Sequence, residues 1–345
     1  MKWKIFLIVL INLFFIFFPG NIIGCGGEID PYDYYTSFFQ NDLSTSKNFD
    51  PFYYTNSLFL YDDKEPVDVS HATSGEWIEY CGNKATENET YDFVCHFSYE
   101  DLKKVYEKIE KNADVHLDDS LTKNNITKYF LQHKDLEALG YLMYAKKVEP
   151  SVTGTWNEWG DLKHDSLKMD RLIKDGKQLY AASKNEFVKL RFAYQITRLA
   201  LYSNNAKDCI RYYDEMIKEN KTKSILLDLS VSLKAGALFR IGNKYRAALL
   251  FSKLFSKTSV KRVANYLSFD WCVKRLKDSD RVICLHLCKT DIEKANLLGL
   301  FALGSNVREE KTLKKIYSYD PNSEMLEVLA AREINKIEEN YLTAE

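Results

Sequence analysis

From residue 121 onward, apolar side chains recur every three to four positions, which is the spacing along one face of an α-helix. In the stretch 223–241, for example, Leu226, Leu229 and Leu233 follow this period. Short connections separate such stretches and force neighbouring helices to pack antiparallel. The pattern therefore predicts an all-α domain of stacked antiparallel helical hairpins over residues 121–345. The predicted helices cover residues 122–132, 135–148, 166–183, 185–203, 206–219, 223–241, 243–256, 259–277, 280–289, 291–304, 307–318 and 323–342.

Residues 32–120 form an irregular, aromatic-rich N-terminal segment without a sustained strand or helix period. The rings near its start are Tyr32, Tyr34, Tyr35, Phe38, Phe39, Phe49, Phe52, Tyr53 and Tyr54. Two interpretations stay open: the rings pack into the helical domain, which we favour, or they form an exposed face that binds carbohydrate or a partner. Further along, Ser98 is placed to cap a short predicted helix whose apolar face includes Leu102 and Val105.

The first 24 residues have the organisation of a secretory signal peptide. Two early lysines precede an apolar run over residues 5–18, which is shorter than the roughly 20 residues that span a membrane. The sequence Ile-Ile-Gly-Cys at residues 22–25 then resembles the lipobox of bacterial lipoproteins, which implies a diacylglyceryl group on Cys25 and cleavage before it. Residues 25–31 would be the lipidated tether. An ordinary signal peptide with a cysteine nearby is the alternative.

Four helical segments carry the first-helix spacing of tetratricopeptide repeats, and three of them are followed nine residues later by the second-helix spacing. The segments are Leu136-x2-Leu139-Gly140-x2-Met143, Ala193-x2-Ile196-Thr197-x2-Ala200 with Cys209-x3-Tyr213, Val231-x2-Lys234-Ala235-x2-Leu238 with Ala247-x3-Phe251, and Leu297-x2-Leu300 with Glu309-x3-Leu313 before Pro321. Small residues let paired helices approach, and large ones wedge into the next hairpin. The pattern is degenerate, since Glu309 stands where alanine is usual, so a non-repeating helical domain with chance spacing is the alternative.

Over residues 135–343 the chain resembles the tetratricopeptide-like repeats carried by many exported lipoproteins of Gram-negative bacteria. The resemblance implies a concave surface that binds a protein or peptide, and a lipid-anchored place in the cell envelope, at the outer membrane. It implies no catalytic residue. Repeat arrays usually end in a polar capping helix, and none is recognisable before Glu345, so the repeat domain is open to continuation beyond the chain end.

Charge and motifs favour binding over catalysis. The 345 residues carry a formal net charge of -1, which shows no electrostatic footprint for nucleic acid. The six histidines lack the spacing of a metal hydrolase, and the sequence contains no phosphate loop, dinucleotide fingerprint or Gly-x-Ser-x-Gly motif. We therefore expect neither an enzyme nor a protein with a cofactor or metal.

Six cysteines follow Cys25, in a compartment that permits disulfides. Cys81 and Cys95 flank a polar stretch and are the predicted pair. Cys284 and Cys288 lie one helical turn apart, which is only a weak indication of a metal site. The favoured interpretation is that both are small side chains buried in the helical packing.

The longest connection in the repeat part, residues 149–165, holds the predicted binding residues Trp156, Asn157, Glu158 and Trp159. Two rings beside hydrogen-bonding groups can stack on a sugar or clasp a peptide, and long loops on repeat scaffolds commonly carry binding. Alternatively, both rings plug a gap between helices.

Two functions therefore compete. One is a membrane-tethered scaffold that binds a protein or peptide partner in the bacterial envelope. The other is a nutrient-uptake lipoprotein that binds glycans, similar to the tetratricopeptide-bearing starch-binding lipoproteins of outer membranes. Trp156 and Trp159 favour glycan binding, whereas the short chain and the missing large insertion between repeats favour the scaffold.

The lipobox resemblance yields the first testable prediction. Replacing Cys25 by serine removes the acceptor thiol, so the Cys25→Ser protein is expected in the soluble envelope fraction. Detergent partitioning and intact mass measure the outcome. A variant that still partitions with micelles and carries fatty acid contradicts the prediction.

Overall fold

The computed structural model describes residues 47–53, 65–112, 114–153, 165–274, 277–305 and 307–342 of the chain. Within these ranges the chain forms sixteen α-helices and no β-strand, and a single isolated bridge pairs Val67 with Val260. The all-α prediction is confirmed. The helices are α1 Val69–Tyr80, α2 Glu87–Tyr91, α3 Tyr99–Glu110, α4 Asp119–Lys123, α5 Asn125–His133, α6 Leu136–Val152, α7 Ser166–Ala182, α8 Glu186–Tyr202, α9 Ala206–Met216, α10 Ile225–Arg240, α11 Lys244–Lys257, α12 Arg262–Val273, α13 Asp278–His286, α14 Asp291–Leu303, α15 Glu310–Tyr319 and α16 Met325–Leu342.

Consecutive helices pack as hairpins. The pairs α8–α9, α10–α11 and α14–α15, which carry the repeat spacing in the sequence, each pack helix against helix. The first helices α6, α8 and α10 also lie side by side, so the hairpins are stacked. Ala193, Ala235 and Ala247 are fully buried, because only small side chains fit where the paired helices approach. The stacked antiparallel hairpins predicted from the sequence are therefore confirmed.

Helix α8 is the centre of this array. It packs against α6, α7, α9 and α10, and 11 of its 17 residues are buried. A helix that is enclosed on all sides needs apolar residues on most of its faces. Arg191, in the second turn of α8, is a charged residue among them, and its side chain is 0% exposed.

The N-terminal segment contains two helices that the sequence did not predict, α1 and α2. Asp68 caps α1 by accepting hydrogen bonds from the amides of Ser70 and His71 at 2.8 and 2.9 Å. The apolar residues of α1 do not follow one stripe, which is why its period was missed. Its Trp77 ring is buried against Phe187, with the ring centroids 5.0 Å apart. The short helix predicted after Ser98 is confirmed as α3, and Ser98 caps it as expected.

Residues 65–80, which we call the strap, cross the starts of successive first helices. Near the beginning of the strap, the Glu65 carboxylate accepts hydrogen bonds from the amides of Val263 and Ala264, at 3.0 and 2.8 Å, in the first turn of α12. Further along, Glu76 accepts from the amide of Ile225 at 2.6 Å, at the start of α10. Helix starts leave amides without intrahelical partners and carry partial positive charge, so carboxylates stabilise them.

The strap ends at the starts of α6 and α8. The Tyr80 hydroxyl donates to the carboxylate of Asp135, which caps α6, at 2.6 Å. It also accepts a hydrogen bond from the side-chain nitrogen Nδ2 of Asn185, which caps α8, at 2.7 Å. Burial and the bond to Asp135 raise the pKa of Tyr80, so the hydroxyl stays protonated. The strap thus runs opposite to the order of the hairpins, from α12 back to α6.

Glu76 also neutralises the buried arginine of α8. The Arg191 guanidinium donates to the Glu76 carboxylate at 2.7 Å and lies 3.3 Å over the centre of the Phe187 ring. Burial lowers the pKa of Arg191, and Tyr141 and Glu76 oppose this change. Ser224 donates to the same carboxylate at 2.9 Å. One carboxylate therefore joins the strap, α8 and the start of α10.

None of the helices that the structure describes combines enough length with enough apolar character to cross a membrane.

Removing the partner of a buried charge is expected to destabilise the fold strongly. Glu76→Ala strands the Arg191 guanidinium, and about 3–5 kcal/mol of unfolding free energy should be lost. The control is Glu79→Ala on the same helix, where the side chain is exposed and the cost should stay within about 0.5 kcal/mol. Urea unfolding followed by circular dichroism measures both, and equal losses would contradict the role given to Glu76.

Candidate functional site

An aromatic turn from the N-terminal segment lies against three helices of the C-terminal half, α11, α12 and α16. Residues Lys47–Phe52 form a 3-10 helix that contains Pro51, and Tyr53 follows directly. A 3-10 helix has three residues per turn, so Phe49 and Phe52 share one face. Both rings and Tyr53 are buried. We call residues 47–53 the aromatic turn.

Two rings of the repeat array receive the aromatic turn. The Phe255 ring of α11 lies 5.8 Å from Phe49 and 5.0 Å from Phe52, the latter edge-on. The Tyr266 ring of α12 lies 5.5 Å from Phe52, also edge-on. Edge-to-face contacts at such distances are a favoured geometry for aromatic pairs. For these three rings of the N-terminal segment, the interpretation that they pack into the helical domain is confirmed.

Polar side chains of α16 bind the main chain of the turn. Arg332 Nη1 donates to the carbonyl oxygen of Phe52 at 3.0 Å, and Asn335 Nδ2 donates to that of Tyr53 at 2.9 Å. A second guanidinium nitrogen of Arg332 donates to the Leu303 carbonyl at 2.7 Å, which fixes the side chain against α14. The Tyr53 hydroxyl donates to Glu327 Oε1 at 3.2 Å. These residues recognise the backbone of the turn as well as its rings.

The residues that hold the turn are named the socket: Phe255, Arg262, Tyr266, Glu327, Arg332 and Asn335. The Arg262 guanidinium lies 4.0 Å over the Phe49 ring. Burial lowers the pKa of both Arg262 and Arg332. Burial also raises the pKa of Tyr266 to about 12, so its hydroxyl is neutral at physiological pH. The socket therefore combines apolar rings with a small number of directed donors, as ligand sites do.

An open cleft of about 560 Å³ continues from Phe49 between α11, α14 and the turn before α16. Its lining is Phe49, Lys253, Ser256, Lys257, Ile292, Asn296, Asp320, Asn322, Ser323, Glu324 and Met325. Ile292 stands 58% exposed in the cleft. Lys253 is paired with Glu293 at 2.7 Å, and Lys257 with Asp228 at 2.5 Å, so the cleft has no strong excess of positive charge.

The chemistry of socket and cleft is that of binding. Apolar side chains alternate with amides and hydroxyls that can both donate and accept hydrogen bonds, which suits a peptide. Within the described ranges, no group of three or more His, Cys, Asp and Glu side chains is placed to hold a metal ion.

The predicted disulfide is wrong, because Cys81 and Cys95 are both free thiols. Cys81 lies near Asp135 at the start of α6, whereas the Cys95 carbonyl accepts a hydrogen bond from Lys146 at 2.6 Å. The polar stretch between the two cysteines contains α2, which carries Cys95 away.

The remaining described cysteines are buried or half-buried thiols. Burial raises the pKa of Cys209 and Cys272 to about 12 and that of Cys284 and Cys288 to about 11. Since the thiolate is the reactive form, these side chains are unreactive at neutral pH. Cys284 is fully buried, which agrees with its favoured interpretation as a small packing residue.

Several predicted site residues lie outside the described ranges. Trp156, Asn157, Glu158 and Trp159 fall between residues 153 and 165, and Cys25 falls before residue 47. Binding by the tryptophan loop and lipidation stay predictions.

The residues of the socket were missed by sequence reasoning. Arg332 and Asn335 stand in a charged stretch of α16 that reads as a solvated helix face, yet both are buried. The cluster of aromatic residues around Phe49 and Phe52 indicated that this segment packs against the helical domain. It did not indicate which helices the segment contacts.

The chain matches none of the protein-family models, curated proteins or solved structures with which it was compared. The site is therefore interpreted from its own geometry.

Ring packing should contribute more to holding the turn than the tyrosine hydroxyl does. Phe52→Ala leaves a cavity between Phe255 and Tyr266 and should cost about 3–5 kcal/mol of unfolding free energy. The matched change Tyr53→Phe keeps the ring, removes the hydroxyl that donates to Glu327, and should cost about 0.5–1.5 kcal/mol. Denaturant titration compares them, and a larger loss for Tyr53→Phe would refute the ranking.

Proposed function

We propose that this chain is a helical-repeat scaffold that binds a protein or peptide partner in the cleft beside the aromatic turn. One observation carries the proposal: α11, α12 and α16 already hold a short peptide segment through rings and donors to its main chain, and an open cleft continues from that segment. Helices that bind the aromatic turn in this way also provide surfaces suited to a peptide segment of a partner.

The composition of the cleft supports a protein ligand. Interface cores combine exposed apolar anchors with a rim of hydrogen-bonding groups. Here the exposed Ile292 supplies apolar surface, and Asn296 and Asn322 supply amides. The paired state of Lys253 and Lys257 gives a strongly acidic ligand no particular advantage.

The cellular location and the repeat type of this scaffold are proposed from the sequence. The Ile-Ile-Gly-Cys sequence supports a lipid anchor at Cys25 in the envelope of a Gram-negative bacterium, at the outer membrane. The spacing from Ala193 to Phe251, which falls on the packed hairpins α8–α9 and α10–α11, supports a repeat of the tetratricopeptide type. We propose both together with the binding role.

Glycan binding is the weaker candidate. It depends on Trp156 and Trp159, and the described rings of the aromatic turn are buried instead of presented to solvent.

The test uses the full-length chain in cross-linked envelopes. Ile292→Asp places a charge in the cleft at an exposed position, so it should leave folding intact and reduce recovery of the partner about tenfold or more, the scale of a lost interface anchor. The control Leu179→Asp makes a similar change at an exposed site on α7. Partners are quantified by mass spectrometry after pull-down.

Loss of the same partner protein with Ile292→Asp and not with Leu179→Asp supports the proposal. Equal recovery with both variants, each folded by circular dichroism, overturns it.

A further inference from the structure

We infer that the socket is a recognition site for one-turn aromatic peptides of the pattern Phe-x-x-Phe-Tyr. In this inference, the chain's own aromatic turn is a ligand bound in cis, and a partner that carries the same turn displaces it. The inference deepens the proposed function and rests on it, because the socket and the cleft meet at Phe49.

The turn is held through its main chain as well as through its rings. Hairpins of the array close through small buried residues such as Ala235 and Ala247. The aromatic turn belongs to no hairpin, and its carbonyl groups accept hydrogen bonds from Arg332 and Asn335, about 280 residues later in the chain. Donors aimed at main-chain carbonyls recognise a peptide backbone whatever its origin.

The rings define which peptide fits. Phe49 and Phe52 are three residues apart and both contact Phe255, which a 3-10 turn permits because residues i and i+3 align. The Tyr53 hydroxyl reaches Glu327. Pro51 fixes its own φ near the value of such a turn, which lowers the entropy lost on binding. The ligand class is therefore a short peptide with an aromatic triad and a turn-forming residue between the two phenylalanines.

Contacts among the helices themselves also position the walls of the socket. Helices α11 and α12 pack on each other, and α14 packs on both α11 and α16. Arg332 is oriented by the Leu303 carbonyl of α14, independently of the turn. A site whose walls and donors are placed by the array is preformed for a ligand.

Because the chain's own aromatic turn occupies the socket, any other peptide must compete with it for binding. Residues 54–64 join the turn to the strap, and a tethered ligand faces its site at an effective concentration on the order of mM. A free peptide should bind poorly to the wild-type chain and well once the cis turn is weakened.

The experiment uses the full chain and a fluorescein-labelled synthetic peptide with the sequence of residues 46–54. Fluorescence anisotropy is measured with the wild-type chain, with Phe52→Ala, and with the milder Tyr53→Phe. We expect Phe52→Ala to bind the peptide at least about tenfold more tightly than wild type does, with Tyr53→Phe between them. A control peptide that itself carries Phe52→Ala should bind at least about tenfold more weakly to every chain.

Equal affinity of all three chains for the peptide, or equal affinity of one chain for both peptides, overturns the inference. If Phe52→Ala proves partly unfolded, the peptide must restore its melting temperature and the control peptide must not; failure of that rescue also overturns it.

These results are separable from the test of the cleft. Absence of peptide binding together with partner loss in Ile292→Asp refutes the socket inference alone. Peptide binding together with normal partner recovery in Ile292→Asp refutes the cleft proposal alone.

Discussion

The Glu76 carboxylate meets three groups from two parts of the array: the Arg191 guanidinium of α8, and the Ser224 hydroxyl and Ile225 amide at the start of α10. Arg191 lies in α8, the helix enclosed by its neighbours, where an unpaired charge is costly. The pairing requires the strap to pass α8 and the start of α10 at one point. The other strap contacts, at α12 and at α6, follow from that placement because the strap is continuous.

The N-terminal segment therefore serves the array in two ways. The strap supplies carboxylates and a hydroxyl to helix starts, where unpaired amides need acceptors. The aromatic turn fills the socket with Phe52 and Tyr53, bound by Arg332 and Asn335. The N-terminal segment contacts the helices in reverse order along the chain. The aromatic turn comes first and contacts α11, α12 and α16, and the strap then runs from α12 back to α6. Stability of the helical domain and occupancy of its ligand site are thus linked through one stretch of chain.

The groups of the socket and the cleft are suited to recognition of a peptide. Burial keeps the described thiols protonated, and the groups that converge on the socket are two guanidinium groups, an amide, a carboxylate and rings. Such groups orient a peptide backbone and its aromatic side chains. The adjoining cleft adds Ile292 at an exposed position, which is where a partner gains apolar contact. The proposed scaffold function and the socket inference both derive from this combination.

By itself, the sequence determined the helices from residue 121 onward and their pairing, because helical period and short connections are properties of neighbouring residues. It also placed the small residues Ala193, Ala235 and Ala247 at the hairpin contacts. It failed for Cys81 and Cys95, since closeness along the chain does not imply closeness across α2 and α6. Only the tertiary structure decided the strap and the socket. Their partners are 115 residues apart at Glu76–Arg191 and 280 apart at Phe52–Arg332, distances over which no local period carries information.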